Sequence, residues 1–358
     1  MLFESFDLGG IRLSSRTVMA PMTRSRATHN NTPDALIAEY YKQRATAGLI
    51  VTEGTSSSPN GLGYARIPGI YNEEQVLGWR LVTDAVHQAG GKIFVQLMHT
   101  GRVSHQNNLP AGARVVGPSP EVCPGEMWTD KAGLKPHTAP VVMTEADIAQ
   151  AVAEYANAAK LAMKAGFDGI ELHAANGYLI EQFLNANINK RTDGYGGSTQ
   201  ARNRFAIEVA EACAGAIGAD KVGIRLSPYG VFNGTGAFEG VDDQFLSLTK
   251  KLSELGLIYV HLVDHSGMGA PPVPAELKKA IRAAFGRTYI AVGGFAAQSA
   301  EAVLQAKEAD LIAFGRPFIS NPDLVARMKS GAQLTVPDMS TFYTPGEKGY
   351  TDYPAVVA

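Results

Sequence analysis

The sequence reads as an α/β chain whose strands close into a (β/α)8 TIM barrel. Three observations predict this. Eight short apolar runs alternate with longer amphipathic stretches along most of the 358 residues. The runs are apolar on both faces, the pattern of a parallel sheet covered by helices. The length and the 45% apolar content suit one large core, so a single domain over residues 1–358 is expected. An open doubly wound sheet is the competing topology, because periodicity does not reveal closure.

The elements follow in order. FDLGGIRLSSR is a short hairpin, two alternating runs around Gly9-Gly10. The eight strands are TVMAPM (17–22), LIVTEGT (49–55), KIFVQLM (92–98), GIELHA (169–174), KVGIRLS (221–227), YVHLV (259–263), YIAVGG (289–294) and LIAFGR (311–316). Between them lie helical patterns. In the clearest, residues 144–166, Thr144 and Asp147 form an N-terminal cap and Gly166 a stop. The others begin at EEQVLGW, RNRFAIE, DDQFLSL, AELKKAI, SAEAVLQ and NPDLVAR. Two irregular segments interrupt the repeat. Residues 99–143 form a long insertion between the third strand and its helix, read as a lid or rim, and a tail follows Gly331.

Bulk chemistry excludes several classes. The formal net charge is −2 and no Lys/Arg run occurs, so no nucleic-acid partner is expected. No stretch approaches the ~20 apolar residues of a membrane span. The opening MLFESFDLGG is not a signal peptide. Cys123 and Cys213 form neither a disulfide framework nor a metal motif, which points to a reducing, cytoplasmic setting. His99, His105, His173 and His261 are scattered, so no metal is expected.

In a barrel, catalytic groups come from the C-terminal ends of several strands. Strand one ends in Pro21, Met22 and Thr23, and strand two in Glu53, Gly54 and Thr55. Strand three carries Gln96, and strand five Arg225. Strand four delivers His173, Asn176 and Tyr178, an imidazole, a carboxamide and a phenol that no turn requires. Strands seven and eight end in Gly293-Gly294 and Gly315-Arg316, where this architecture binds phosphate. Gln96 and Arg225 pointing at one ligand, with that phosphate site, suggest a planar cofactor with a phosphate tail, the shape of flavin mononucleotide. No Gly-x-Gly-x-x-Gly dinucleotide unit is present. Glu171 shares a strand face with His173, but that spacing is common in any strand and carries little weight.

The chain resembles the old yellow enzyme family of FMN-dependent ene-reductases. The resemblance rests on VMAPMTRSRA, FVQLMHTGRVSH, ELHAANGYLIEQFLN, NKRTDGYGGS, FGRPFISNPDLVARM and GYTDYP. It implies a barrel closed below by the hairpin, with FMN as cofactor and NADPH or NADH as hydride donor. Pro21, Met22, Thr23, Gly54, Gln96, His173 and Arg225 would hold the flavin ring, and Gly293, Gly294, Gly315 and Arg316 its phosphate. His173 and Asn176 would grip the substrate oxygen, Tyr178 would donate the proton, and Tyr64, Met98 and Tyr343 would line the pocket. Small activated alkenes would be the substrates, and the protein a monomer or weak homo-oligomer. Two departures stand out. Met98 replaces a common tryptophan, and residue 176 is Asn where a second branch has His. A phosphate-sugar barrel without flavin is a rival, although it leaves Gln96, Arg225 and Tyr178 idle. A flavin-binding protein without turnover is another.

Overall fold

The structure, a computed structural model, describes residues 1–355. A hairpin of β1 (Phe6–Leu8) and β2 (Ile11–Leu13) leads into barrel strand β3 (Thr17–Met19), followed by β4 (Leu49–Ser56) and β5 (Ile93–Met98). Rim strands β6 (Val116–Gly117), β7 (Glu126–Thr129), β8 (Gly133–Pro136) and β9 (Val141–Val142) come next. Five further barrel strands follow: β10 (Gly169–Ala174), β11 (Val222–Leu226), β12 (Tyr259–Val263), β13 (Thr288–Val292) and β14 (Leu311–Phe314). The eight barrel strands pair in parallel and close, β14 pairing with β3, so the open sheet is excluded.

Helices cover the barrel: α1 (Ala35–Lys42), α2 (Glu73–Gln88), α3 (Glu145–Lys164), α4 (Leu179–Leu184), α5 (Thr199–Ile217), α6 (Val241–Glu254), α7 (Ala275–Phe285), α8 (Ala297–Gln305), α9 (Arg316–Ser320) and α10 (Leu324–Ser330). The cap expected at Thr144 is present as a reciprocal box with Asp147, and Gly166 ends the helix at φ 91°.

Strands one and eight are shorter than expected. Strand one stops at Met19, just before Pro21, which has no N–H for the ladder. Strand eight stops at Phe314, because Gly315 leaves extended geometry at φ −96°, ψ −99°.

The hairpin plugs the barrel floor. Gly9 and Gly10 both take positive φ, the requirement of a tight two-residue turn. Leu8 and Leu13 are thereby packed against Val18, Leu49, Phe94, Tyr259 and Leu311. Above them, two glycines make room for aromatic rings. A Cβ on Gly169 would lie 2.4 Å from the Phe94 ring, and one on Gly223 2.2 Å from the Tyr259 ring. Tyr259 therefore crosses over β11, stacked 5.9 Å from Phe94.

Two irregular segments build the rim. In the long insertion, β7 and β8 form an antiparallel hairpin that leaves Trp128 and Leu134 exposed. The tail after α10 is pinned by three buried arginines through backbone carbonyls. Arg24 donates to Phe342 and Gly349, Arg26 to Thr341, Phe342 and Lys348, and Arg44 to Tyr350. Tyr350 also stacks on Tyr40 at 4.0 Å. Among the described residues no helix is long and apolar enough to cross a membrane.

Candidate active site

A cavity of about 870 Å3 opens at the C-terminal ends of the barrel strands. Pro21, Thr23, Gly54, Tyr64, Gln96, Met98, His173, Asn176, Tyr178 and Tyr343 all line it. Met22, Arg225, Gly293, Gly294, Gly315 and Arg316 do not.

The end of β10 and the turn after it bring three polar side chains to the cavity. His173 is 4% exposed, and burial holds its pKa well below the usual histidine value, with Arg225 adding to the effect. The ring is therefore neutral. Its Nδ1 accepts from the backbone N–H of Ala175 at 3.3 Å, so the proton sits on Nε2, which is a donor.

Asn176 and Gly177 follow at φ 59° and 78°. Two left-handed residues in a row turn the chain sharply enough to bring Tyr178 back against His173, ring centroids 4.8 Å apart. Side chains brace this turn. Ser227 Oγ accepts from the Asn176 N–H at 2.9 Å and donates to Glu181, and Glu181 accepts from the Gly177 N–H at 2.6 Å. Asn233 donates to the Asn176 carbonyl at 2.7 Å. A Cβ at position 177 would lie 2.8 Å from the Phe232 carbonyl, so glycine is required there.

Tyr178 caps α4 and is half-buried. Burial pushes its pKa up to about 12, although a hydrogen bond from Tyr64 at 3.1 Å works the other way. The phenol is a proton reservoir at neutral pH, with a second phenol in contact.

The strands paired with β10 carry further polar groups in register with it. Arg225 of β11 stands in register with His173 of β10 and His261 of β12. It is 6% exposed, yet its Nε and Nη1 have no hydrogen-bond partner among the described residues. Gln96 of β5 stands in register with Glu171 of β10 and donates Nε2 to it at 2.8 Å. Gly54 makes way for Met98, whose sulfur would lie 2.6 Å from any Cβ there.

Gly293, Gly294, Gly315 and Arg316 follow β13 and β14 at the C-terminal end of the barrel. Seven barrel strands are buried throughout, whereas β13 is half-exposed at Thr288, Ala291 and Val292. Beyond β13, Gly294 takes φ 76° with open space around its Cβ position, and Arg316 after β14 is exposed.

A family model described as the NADH:flavin oxidoreductase / NADH oxidase family matches residues 1–335. The chain belongs to this family. It is thus a flavin-dependent oxidoreductase on an eight-stranded barrel. A probable flavin mononucleotide-dependent alkene reductase of Leishmania infantum is 41% identical over 99% of this chain and 97% of that protein. An old yellow enzyme homologue from Zymomonas mobilis superposes with a TM-score of 0.95, at 39% identity over 99% of both chains. Morphinone reductase in complex with tetrahydroNAD superposes at 0.94, with 41% identity over 99% of this chain and 97% of the other.

Several residues of this flavin oxidoreductase's site escape sequence reasoning. Ser227, Glu181 and Asn233 act on backbone atoms, and no motif announces that. Arg66 clasps the cavity mouth, donating to the Ser25 and Tyr343 carbonyls and pairing with Asp130 of the rim hairpin. Its positive φ of 56° left no trace in the sequence.

Proposed function

We propose that this chain is an FMN-dependent ene-reductase. It would take hydride from NADPH or NADH and reduce the C=C bond of activated alkenes: α,β-unsaturated carbonyls, maleimides and nitroalkenes. One observation carries the reading: a neutral histidine donor, a carboxamide and a protonated phenol converge on one cavity. The similar alkene reductase and the tetrahydroNAD complex of morphinone reductase support it.

The residues fit a flavin. A buried guanidinium with two unpartnered donor nitrogens needs acceptors, and a flavin's pyrimidine edge offers them. Gln96 and Gly54 would meet the same ring, with Pro21, Met22 and Thr23 beside it, while Gly293, Gly294, Gly315 and Arg316 would hold the phosphate. When bound and reduced, the flavin supplies the hydride.

The chain's own groups do the rest. His173 Nε2–H and the Asn176 amide would hold the substrate oxygen and stabilise the charge that builds on it, as an oxyanion hole does. Tyr178 would give its proton to the α carbon, and Tyr64, Met98 and Tyr343 would bound the substrate. The substrates are small molecules. Cys123 and Cys213 are both free and buried, which fits a cytoplasmic setting, and a monomer or weak homo-oligomer is the expected state.

The test is anaerobic. Purified protein should be yellow, NADPH should bleach it, and 2-cyclohexenone should restore the colour. A colourless preparation that takes up no FMN overturns the reading, as does bleached protein that the enone leaves bleached.

Arg225→Met should weaken FMN binding by roughly tenfold to a hundredfold, since hydrogen bonds to a charged group are worth about 1.5–3 kcal/mol. Its FMN reduction potential should also fall, because a fixed cation favours the reduced anion. Titration of apoprotein with FMN and a dye-coupled potential check both. Wild-type values in a folded variant would remove Arg225 from the site.

A further inference from the structure

Behind Gln96 lies a buried polar cluster, Glu171, Tyr259 and His261, that the proposed chemistry does not use. Glu171 is fully buried and accepts three hydrogen bonds: from Gln96 Nε2 at 2.8 Å, from the Tyr259 hydroxyl at 3.0 Å and from His261 Nδ1 at 2.8 Å. Those partners come from β5 and β12, and Tyr259 reaches Glu171 only because residue 223 is glycine. Burial alone pushes the Glu171 carboxyl up, but His261, Arg225 and Gln96 outweigh it and hold it ionised. Burial keeps His261 neutral, so Arg225 is the cation that offsets the carboxylate.

Two consequences follow for the cavity wall. A carboxylate only accepts, so Gln96 must turn its NH2 toward Glu171. That leaves the Gln96 carbonyl and the second N–H of its NH2 for a ligand, in a side chain that lines the cavity. Glu171 also sets the charge behind this wall, because without it Arg225 is an unbalanced buried cation.

We propose that Glu171 is a positioning residue for the cofactor, fixing which face Gln96 presents and moderating the positive charge of Arg225. The inference rests on the flavin reading above. The two roles separate by substitution. Glu171→Asp keeps the charge but withdraws it from Gln96. Glu171→Gln keeps the length but removes the charge.

The experiment measures FMN affinity and midpoint potential for wild type and both variants. Glu171→Asp should bind oxidised FMN about tenfold more weakly, the scale of one lost hydrogen bond, with its potential unchanged. Glu171→Gln should also bind oxidised FMN more weakly, yet its potential should rise, because the unbalanced Arg225 favours the reduced anion. A tenfold shift in that preference is about 30 mV for a two-electron couple. A residue that only supports the barrel would lower thermal stability and weaken both redox forms equally, leaving the potential in place. If Glu171→Gln does not fold, Glu171→Asp still decides the positioning role. Wild-type affinity in folded Glu171→Asp, or a wild-type potential in folded Glu171→Gln, overturns the proposal. Wild-type protein that takes up no FMN would instead overturn the flavin reading itself.

Discussion

Tyr178→Phe is expected to slow reoxidation of the reduced enzyme by 2-cyclohexenone by ~10²–10⁴-fold, the usual worth of a positioned general acid. The substitution keeps the ring that packs against His173 and removes only the hydroxyl. FMN binding and bleaching by NADPH should survive, since neither step consumes that proton. Nitroalkenes should lose much less, because a nitronate is stable enough to leave and collect its proton from water. The wild-type pH profile carries the same signature. With its pKa raised to about 12, the phenol stays protonated through neutral and mildly alkaline pH, so the proton-transfer rate should hold level there and fall only as the phenol ionises. Stopped-flow measurement of the two half-reactions decides: enone reduction at the wild-type rate in the variant would mean that the proton comes from elsewhere. Tyr64, hydrogen-bonded to Tyr178, is the first place to look.

The double variant His173→Ala/Asn176→Ala should lose enone reduction by more than ~10²–10³-fold, the effect of removing a single oxyanion donor. It should also fail to bind phenolates such as 4-hydroxybenzaldehyde, and the long-wavelength charge-transfer band expected of such complexes should vanish. Because burial holds the His173 pKa well below the ordinary histidine value, the wild-type ring stays neutral as pH falls through that value. Phenolate binding should therefore show no gain from a protonating imidazole in that range. A persistent band with unchanged affinity in the double variant would separate these residues from ligand binding. The bracing of the turn by Ser227, Glu181 and Asn233 runs through backbone atoms, so neither substitution removes a bracing group, and the cost that remains is that of Ala at the left-handed position 176.

Most of the barrel was legible because its strands are apolar on both faces and its helices are amphipathic. Helix α1 was passed over, although Asp34 caps it and Ile37, Tyr40 and Tyr41 are spaced for one buried face. The rim hairpin was hidden for a different reason. Trp128 and Leu134 point outward, so apolar residues sit where alternation demands polar ones. At the site, barrel topology brings ten of the predicted residues around one cavity, while Met22, Arg225, Gly293, Gly294, Gly315 and Arg316 do not line it. The Glu171 cluster was not legible, because its partners lie 75 to 90 residues away. A Glu two residues before a His looks the same in a strand that does nothing. Glycine at 223 lets Tyr259 of β12 reach across β11 to Glu171, and only the register of the adjoining strands reveals it.

The rim hairpin divides the molecule in a way that matters for change over time. In the proposed reading, the chemistry belongs to the turn after β10, where a misplaced atom would cost rate. The entrance is framed by Trp128, Leu134 and Tyr343, borne on an insertion and a tail that contribute no strand to the barrel. Surface connections accept altered lengths and compositions at small cost to the fold. Selection, natural or in the laboratory, can therefore rewrite what this protein admits while leaving untouched what it does to whatever enters.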